Sequence, residues 1–240
     1  MNKKNIIIIG ATSGIGRALF EKYASDGNCI GIAGRRTHLL NELQQEYPDI
    51  TVTATADITK QDETIRAIDV LCTELKHIDL AIVCSGTGDI NASLDYAVER
   101  PTIDTNVTGW TFVIDTLYHI FEQQGHGHLV AITSAGGLRG EPMAPAYSAS
   151  KAYQINYMEA LRKKAYKSCN HILVTDIRPG LVDTAMAKGE RLFWVMPVEK
   201  VASQIVAAIR KQKSKAYVTK RWHVLAIINK NLPYSIYKKT

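Results

Sequence analysis

The stretch Ile6-Ile7-Ile8-Ile9-Gly10-Ala11-Thr12-Ser13-Gly14-Ile15-Gly16 decides how this chain is read. Four consecutive isoleucines suit a strand buried on both faces, and they run into three glycines that open a segment of helical spacing, Gly14 to Ser25. Glycine at such a junction permits a tight turn, lets the backbone approach a pyrophosphate and lets the helix pack close on the sheet. The unpaired N–H groups of the first helical turn then face the anion. The spacing is GxxxGxG rather than GxGxxG, and a strand-to-helix turn of this kind can also be purely structural. Gly10, Thr12, Ser13, Gly14, Ile15 and Gly16 are candidate cofactor contacts on this ground.

Working outward, apolar runs suited to buried parallel strands recur at Cys29–Ala33, Ile50–Ala54, Leu80–Cys84, Leu129–Thr133 and Leu173–Ile177, with a short last one near Ala216–Val218. Between them lie stretches of helical spacing at Thr37–Tyr47, Gln61–Lys76, Pro101–Gln123, Tyr147–Tyr166 and Pro197–Lys211, with Pro101 suited to a first turn. Regular alternation of strand and helix predicts right-handed βαβ units and an α/β fold: an open, doubly wound parallel sheet of seven strands with helices on both faces. No internal repeat, linker or low-complexity tract interrupts it, so residues 1–219 read as one domain and 220–240 as a basic amphipathic tail.

The composition agrees. With 240 residues, 46% apolar and 22% charged, the chain can bury a core of normal size, which excludes a disordered or disulfide-stapled class. Cys29, Cys72, Cys84 and Cys169 contain no CxxC pair and read as buried thiols of a reducing compartment. The apolar run at Ile6–Ile9 is too short for a signal-peptide core or a membrane span, so the expected location is cytoplasmic. The net charge of +6 is uneven: from Lys200 onward there are ten Lys/Arg and no Asp or Glu.

Two further clusters carry chemistry. Ribose selection is expected about 20 residues after the glycine turn, where a carboxylate favours a free 2′-hydroxyl and an arginine a 2′-phosphate. Here Gly34-Arg35-Arg36 stands, with no acidic residue between Asp26 and Glu42, which favours NADP(H) over NAD(H); two solvent-facing arginines are the alternative. Tyr147 and Lys151, four apart on one helical face, pair a phenol with an ammonium that stabilises the phenolate. Ser134 follows a buried strand at its C-terminal end, where its hydroxyl can hold a substrate oxygen.

In this order and spacing, the residues from Asn5 to about Val218 resemble the single-domain short-chain dehydrogenase/reductase family, with its Rossmann fold. The resemblance implies that Asp57 and Ile58 meet the adenine, that Ser85 and Gly86 border the cofactor, and that Pro179, Gly180, Val182 and Thr184 hold the nicotinamide carboxamide. It further implies a catalytic set of Asn106, Ser134, Tyr147 and Lys151. In it Ser134 orients the carbonyl and Tyr147 exchanges the proton. Lys151 lowers the phenol's pKa and binds the nicotinamide ribose, and Asn106 holds the water of a proton relay. One departure is Cys84-Ser85-Gly86 where the family carries Asn-Ala-Gly; the other is Ser13, where a second basic residue of the glycine turn would stand.

The expected function is hydride transfer between NADP(H) and a carbonyl or alcohol substrate, with Tyr147 as general acid/base. Alternatives are a non-catalytic dinucleotide-binding regulator and a membrane-associated reductase of a lipid ketone. Leu192-Phe193-Trp194-Val195-Met196 occupies the family's variable lid and suggests an apolar substrate or a membrane contact, unless it packs on the domain. The tail mixes Trp222, Leu225, Ile227, Ile228, Leu232, Tyr234, Ile236 and Tyr237 with lysines. Packing on the parent domain or a partner subunit is the preferred reading of it, and a lipid interface the other. No nucleic-acid partner and no metal are expected, His126-Gly127-His128 reading as exposed turn residues, while a homodimer or homotetramer is expected by family analogy.

Overall fold

The structure, a computed structural model, describes residues 3–187 and 193–239. Its strands are β1 (Asn5–Ile9), β2 (Cys29–Gly34), β3 (Thr51–Thr55), β4 (Leu80–Val83), β5 (His126–Ile132), β6 (His171–Pro179) and β7 (Lys215–Val218). All seven pair in parallel in the order β3-β2-β1-β4-β5-β6-β7. The helices are α1 (Gly14–Ser25), α2 (Thr37–Glu46), α3 (Gln61–Leu75), α4 (Tyr96–Ile103), α5 (Trp110–Gln124), α6 (Pro145–Lys167), α7 (Val198–Arg210), α8 (Lys220–Asn231) and α9 (Tyr234–Tyr237). The doubly wound parallel sheet expected from the alternation is thus present, and the strand order reverses between β1 and β4.

Strand β1 shows why its isoleucines carry the fold. Ile6 and Ile8 enter the core beneath α1, α2 and α7, with Phe20, Leu40 and Ile205 among their neighbours in that cluster. Ile7 and Ile9 point the other way, into the core beneath α3, α5 and α6 that holds Leu71, Trp110 and Met158. Alternation along one strand therefore feeds both cores. Each such side chain withdrawn from water contributes about 1.5–3 kcal/mol.

Three local expectations are corrected. The helix expected to begin at Pro101 begins at Tyr96, where the Asp95 carboxylate caps it by accepting from the Ala97 N–H at 2.9 Å. Pro101 lies inside α4, and the chain then widens into a π-helical stretch, Asp104–Gly109, before α5. His126 and His128 are not in a turn but in β5, and His128 is buried against Thr175 Oγ1 at 2.7 Å. Because the Thr175 hydroxyl donates to the Lys213 carbonyl at 2.6 Å, His128 Nε2 is the donor of that pair. Burial pushes the His128 imidazole down to about 4, so it is neutral at ordinary pH.

The last residues lie against the domain. Trp222 covers Gly180 so closely that a β-carbon there would stand 2.0 Å from the indole. Arg139 donates to the Asn229 carbonyl at 2.9 Å and to the Leu232 carbonyl, and the Tyr237 hydroxyl donates to the Gly140 carbonyl. Lid residues Phe193 and Trp194 are exposed, yet Phe193 stacks on Trp222 with ring centroids 5.6 Å apart. Leu192 lies outside the described residues. Among the described residues no helix is long and apolar enough to cross a membrane.

Candidate active site

A cleft of about 580 Å³ opens at the C-terminal ends of β1, β2, β4, β5 and β6, where ligands gather in open α/β sheets. It takes in every residue that the sequence assigns to cofactor contact, from Gly10 to Thr184, together with Ser134. Asn106 sits behind it, fully buried.

The end of the cleft at the glycine turn is built on a backbone that admits no side chain. Gly10 has φ +89°, and a β-carbon on it would stand 2.8 Å from Ser85 N; one on Gly16 would stand 2.0 Å from the Gly10 carbonyl oxygen. The turn therefore lies flush with the start of α1, leaving a cradle that a pyrophosphate fits and a side chain would fill. Arg36 braces it, donating to Thr12 Oγ1 at 3.1 and 2.7 Å and to Ser13 Oγ at 2.6 Å. Arg35 is 67% exposed and stands 3.9 Å from Asp57, whose other carboxylate oxygen is held by Thr59 at 3.0 and 2.9 Å. These groups fit a dinucleotide.

At the other end three elements converge. Ser134 follows β5, and its Oγ accepts from the Gly136 N–H at 3.0 Å. Tyr147 and Lys151 lie one turn apart on α6, the ammonium 5.8 Å from the centre of the phenol ring. Burial raises the Tyr147 phenol above its usual value, opposed by a hydrogen bond with the Ser134 side chain. Burial also pushes the Lys151 ammonium down to about 8, against the pull of Asp176 and Cys84. Burial keeps the Cys84 thiol protonated by raising it to about 12, with Lys151 opposing. This thiol, where the resemblance expects Asn, is half-buried and lines the cleft beside the ammonium.

Several residues around this set were not singled out from sequence. Gln154, also on α6 and fully buried, links Lys151 to the Asn106 backbone. Asp176 and Arg178 form an ion pair inside the sheet at 2.6 Å, with the Thr133 hydroxyl donating to Asp176 at 2.6 Å. Their i, i+2 spacing within a buried strand was the available signal, since it places both on one face. Trp222 gave none, because its contact with Gly180 is made only by the return of the tail.

A parallel sheet reversing at a glycine cradle, with a phenol, an ammonium and a hydroxyl converging beyond it, defines a nucleotide-binding α/β protein. Residues 4–193 match the short chain dehydrogenase family. An uncharacterized oxidoreductase of Mycobacterium tuberculosis (strain CDC 1551 / Oshkosh) is 32% identical over 228 residues, 91% of this chain and 89% of the relative. Another, of Myxococcus xanthus (strain DK1622), is 35% identical over 191 residues, 78% of this chain and 75% of that one. Among solved structures, a short chain dehydrogenase from Burkholderia cenocepacia J2315 in complex with NADP superposes with a TM-score of 0.85 at 19% identity, covering 99% of this chain and 97% of its own. A short chain dehydrogenase/reductase from Burkholderia phymatum in complex with NAD superposes with 0.84 at 18%, covering 95% and 93%. The chain belongs to the short chain dehydrogenase family, and it is an oxidoreductase with a nicotinamide cofactor.

The buried ammonium has a measurable consequence. In the folded chain the Lys151 proton leaves near 8 and in the unfolded chain near 10.5. Between these values the unfolded state binds the extra proton, so rising pH favours folding at this site. The melting-temperature advantage of Lys151→Met over wild type, measured without cofactor, is therefore greatest below pH 8 and shrinks from pH 8 to 10.5. A difference independent of pH contradicts this.

Proposed function

We propose that this chain is an NADP(H)-dependent carbonyl reductase, able to run as an alcohol dehydrogenase, that acts on an apolar substrate. The observation that carries this reading is the meeting of Ser134, Tyr147 and Lys151 at one end of the cleft, with Arg36 braced at the other. The bound nicotinamide supplies or accepts the hydride. Ser134 holds the carbonyl oxygen and Tyr147 gives its phenolic proton to that oxygen as charge develops there. Lys151 stabilises the phenolate left behind and steadies the nicotinamide ribose. Pro179, Gly180, Val182 and Thr184 bind the carboxamide, Ser85 and Gly86 let the cofactor lie close, and Asp57 and Ile58 meet the adenine. Asn106, to which the resemblance gives the water of a proton relay, has its side chain bonded to both backbone groups of Thr87 at 2.8 and 2.7 Å and so also secures the cleft wall.

The NADP(H) preference rests on the guanidinium of Arg36, fixed by two hydroxyls beside the glycine turn, and on Arg35, free enough to swing onto a 2′-phosphate. The apolar substrate rests on Phe193, Trp194 and Met186, three exposed large side chains near the nicotinamide end.

A membrane contact is a second element of the proposal, favoured by the outer face of α8. Trp222 and Ala226 turn inward, while Val224, Ile227 and Ile228 on the opposite side are 59%, 48% and 53% exposed. From Lys200 onward no acidic residue offsets the basic ones. Two copies meeting through this patch would set like charge against like, whereas an anionic bilayer accepts both the apolar face and the lysines.

Three results are expected. Tyr147→Phe lowers turnover by about 10²–10⁴-fold, the usual worth of a general acid, with NADPH affinity retained; unimpaired turnover refutes the assignment. Arg36→Ala weakens NADPH in calorimetric titration at least tenfold and NADH little; equal losses refute the preference. The protein co-sediments with vesicles of phosphatidylcholine and phosphatidylserine, salt-sensitively, and not with phosphatidylcholine alone; no co-sedimentation with either refutes the membrane contact.

A further inference from the structure

Behind the proposed proton donor, one side chain bridges Lys151 and the Asn106 backbone. Gln154 is fully buried one turn beyond Lys151 on α6. Its Oε1 accepts from Lys151 Nζ at 2.9 Å, and its Nε2 donates to the Asn106 carbonyl oxygen at 2.9 Å. The orientation of the amide follows from chemistry: an ammonium can only donate and a carbonyl can only accept, so the oxygen faces Lys151 and the nitrogen faces Asn106. The Asn106 side chain is engaged elsewhere, with Thr87 and with Ser150 Oγ at 3.0 Å. The Asn106 carbonyl belongs to the π-helical stretch that follows the proline-containing helix α4.

We propose that Gln154 is a positioning residue that takes the place of bridging water between Lys151 and the Asn106 backbone, fixing the ammonium and closing the inner side of the site to proton exchange. The proposal rests on the reading of Tyr147 and Lys151 given above. Two of the three ammonium N–H bonds are directed inward, to Gln154 and to the Ile132 carbonyl at 3.3 Å, which leaves one for the cleft. A carboxamide, unlike water, does not readily accept one proton while releasing another. Once Tyr147 has given its proton to the substrate oxygen, the phenol is therefore recharged from the cleft side, with solvent as the proton source. Among the described residues, Asp176 from β6, Cys84 after β4 and Tyr147 from α6 are the other ionisable groups facing Lys151, and none of them links it to Asn106.

The test compares three proteins: wild type, Gln154→Leu, which fills the space without polar atoms, and Gln154→Ala, which leaves room for water. Two readouts are used: steady-state kinetics on a reducible carbonyl, and the Lys151 titration midpoint followed by NMR of 13C-labelled lysine in cofactor-free protein. Gln154→Leu is expected to lower kcat at least tenfold with the carbonyl KM within about twofold, and to move the midpoint down by about one pH unit, because the charged form loses an acceptor. Gln154→Ala is expected to recover much of both as water enters, and to show an altered solvent deuterium isotope effect on kcat. Wild-type kcat and midpoint in Gln154→Leu overturn the proposal; if that variant does not fold, an unchanged solvent deuterium isotope effect in Gln154→Ala does so. A wild-type protein without reductase turnover, whose midpoint still falls in Gln154→Leu, overturns the catalytic reading and supports the clamp.

Discussion

The close approach of two backbones at the end of β1 is the constraint on which the rest depends. No β-carbon fits between Gly16 and the Gly10 carbonyl, or between Gly10 and Ser85, so α1 starts flush with the sheet and the crest of β4 lies beside it. That contact sets the depth of the cleft at the reversal of strand order. It also presents bare N–H groups where side chains would otherwise stand. Arg36 hardens the arrangement by tying the second strand's end to Thr12 and Ser13. The isoleucines beneath hold the turn from both cores, so its position is a property of the whole sheet rather than of one loop.

Beyond the turn, the site is governed by the cost of burying charge. Among the described residues no carboxylate hydrogen-bonds Lys151; two neutral oxygens, of Ile132 and Gln154, accept from it, and Asp176 acts from farther away. Asp176 is itself matched by Arg178. A buried charge with neutral partners stays adjustable, which is what the proposed role of Lys151, beside a phenol that loses and regains its proton, requires. The tail closes the same region from outside, with Trp222 on Gly180 and Phe193 on Trp222, so lid and tail form one aromatic wall beside the segment that follows β6.

Much of this could be read from residues alone, and the boundary is physical. Ile6–Ile9 and Leu129–Thr133 announced buried strands because a parallel strand covered on both faces needs a largely apolar run. Tyr147 and Lys151 were visible because helical spacing alone brings them together. Pro101 misled: proline favours a first turn, yet the Asp95 cap started the helix earlier and the chain absorbed the proline through a widened turn. His128 misled because His126-Gly127-His128 precedes the apolar run and reads as an exposed turn, whereas pairing with Leu80 across β4 and β5 extends the strand. Gln154, the Asp176–Arg178 pair and the side of the tail that packs inward were hidden for a common reason. Each is defined by a neighbour far away in sequence, and periodicity carries no record of such partners.

The most direct measurement is a side-by-side titration of wild-type protein with NADPH and NADH, followed by nicotinamide fluorescence. The account predicts saturable one-site binding of both, with NADPH at least tenfold tighter. Absence of saturable binding, or NADH bound as tightly as NADPH, would contradict it.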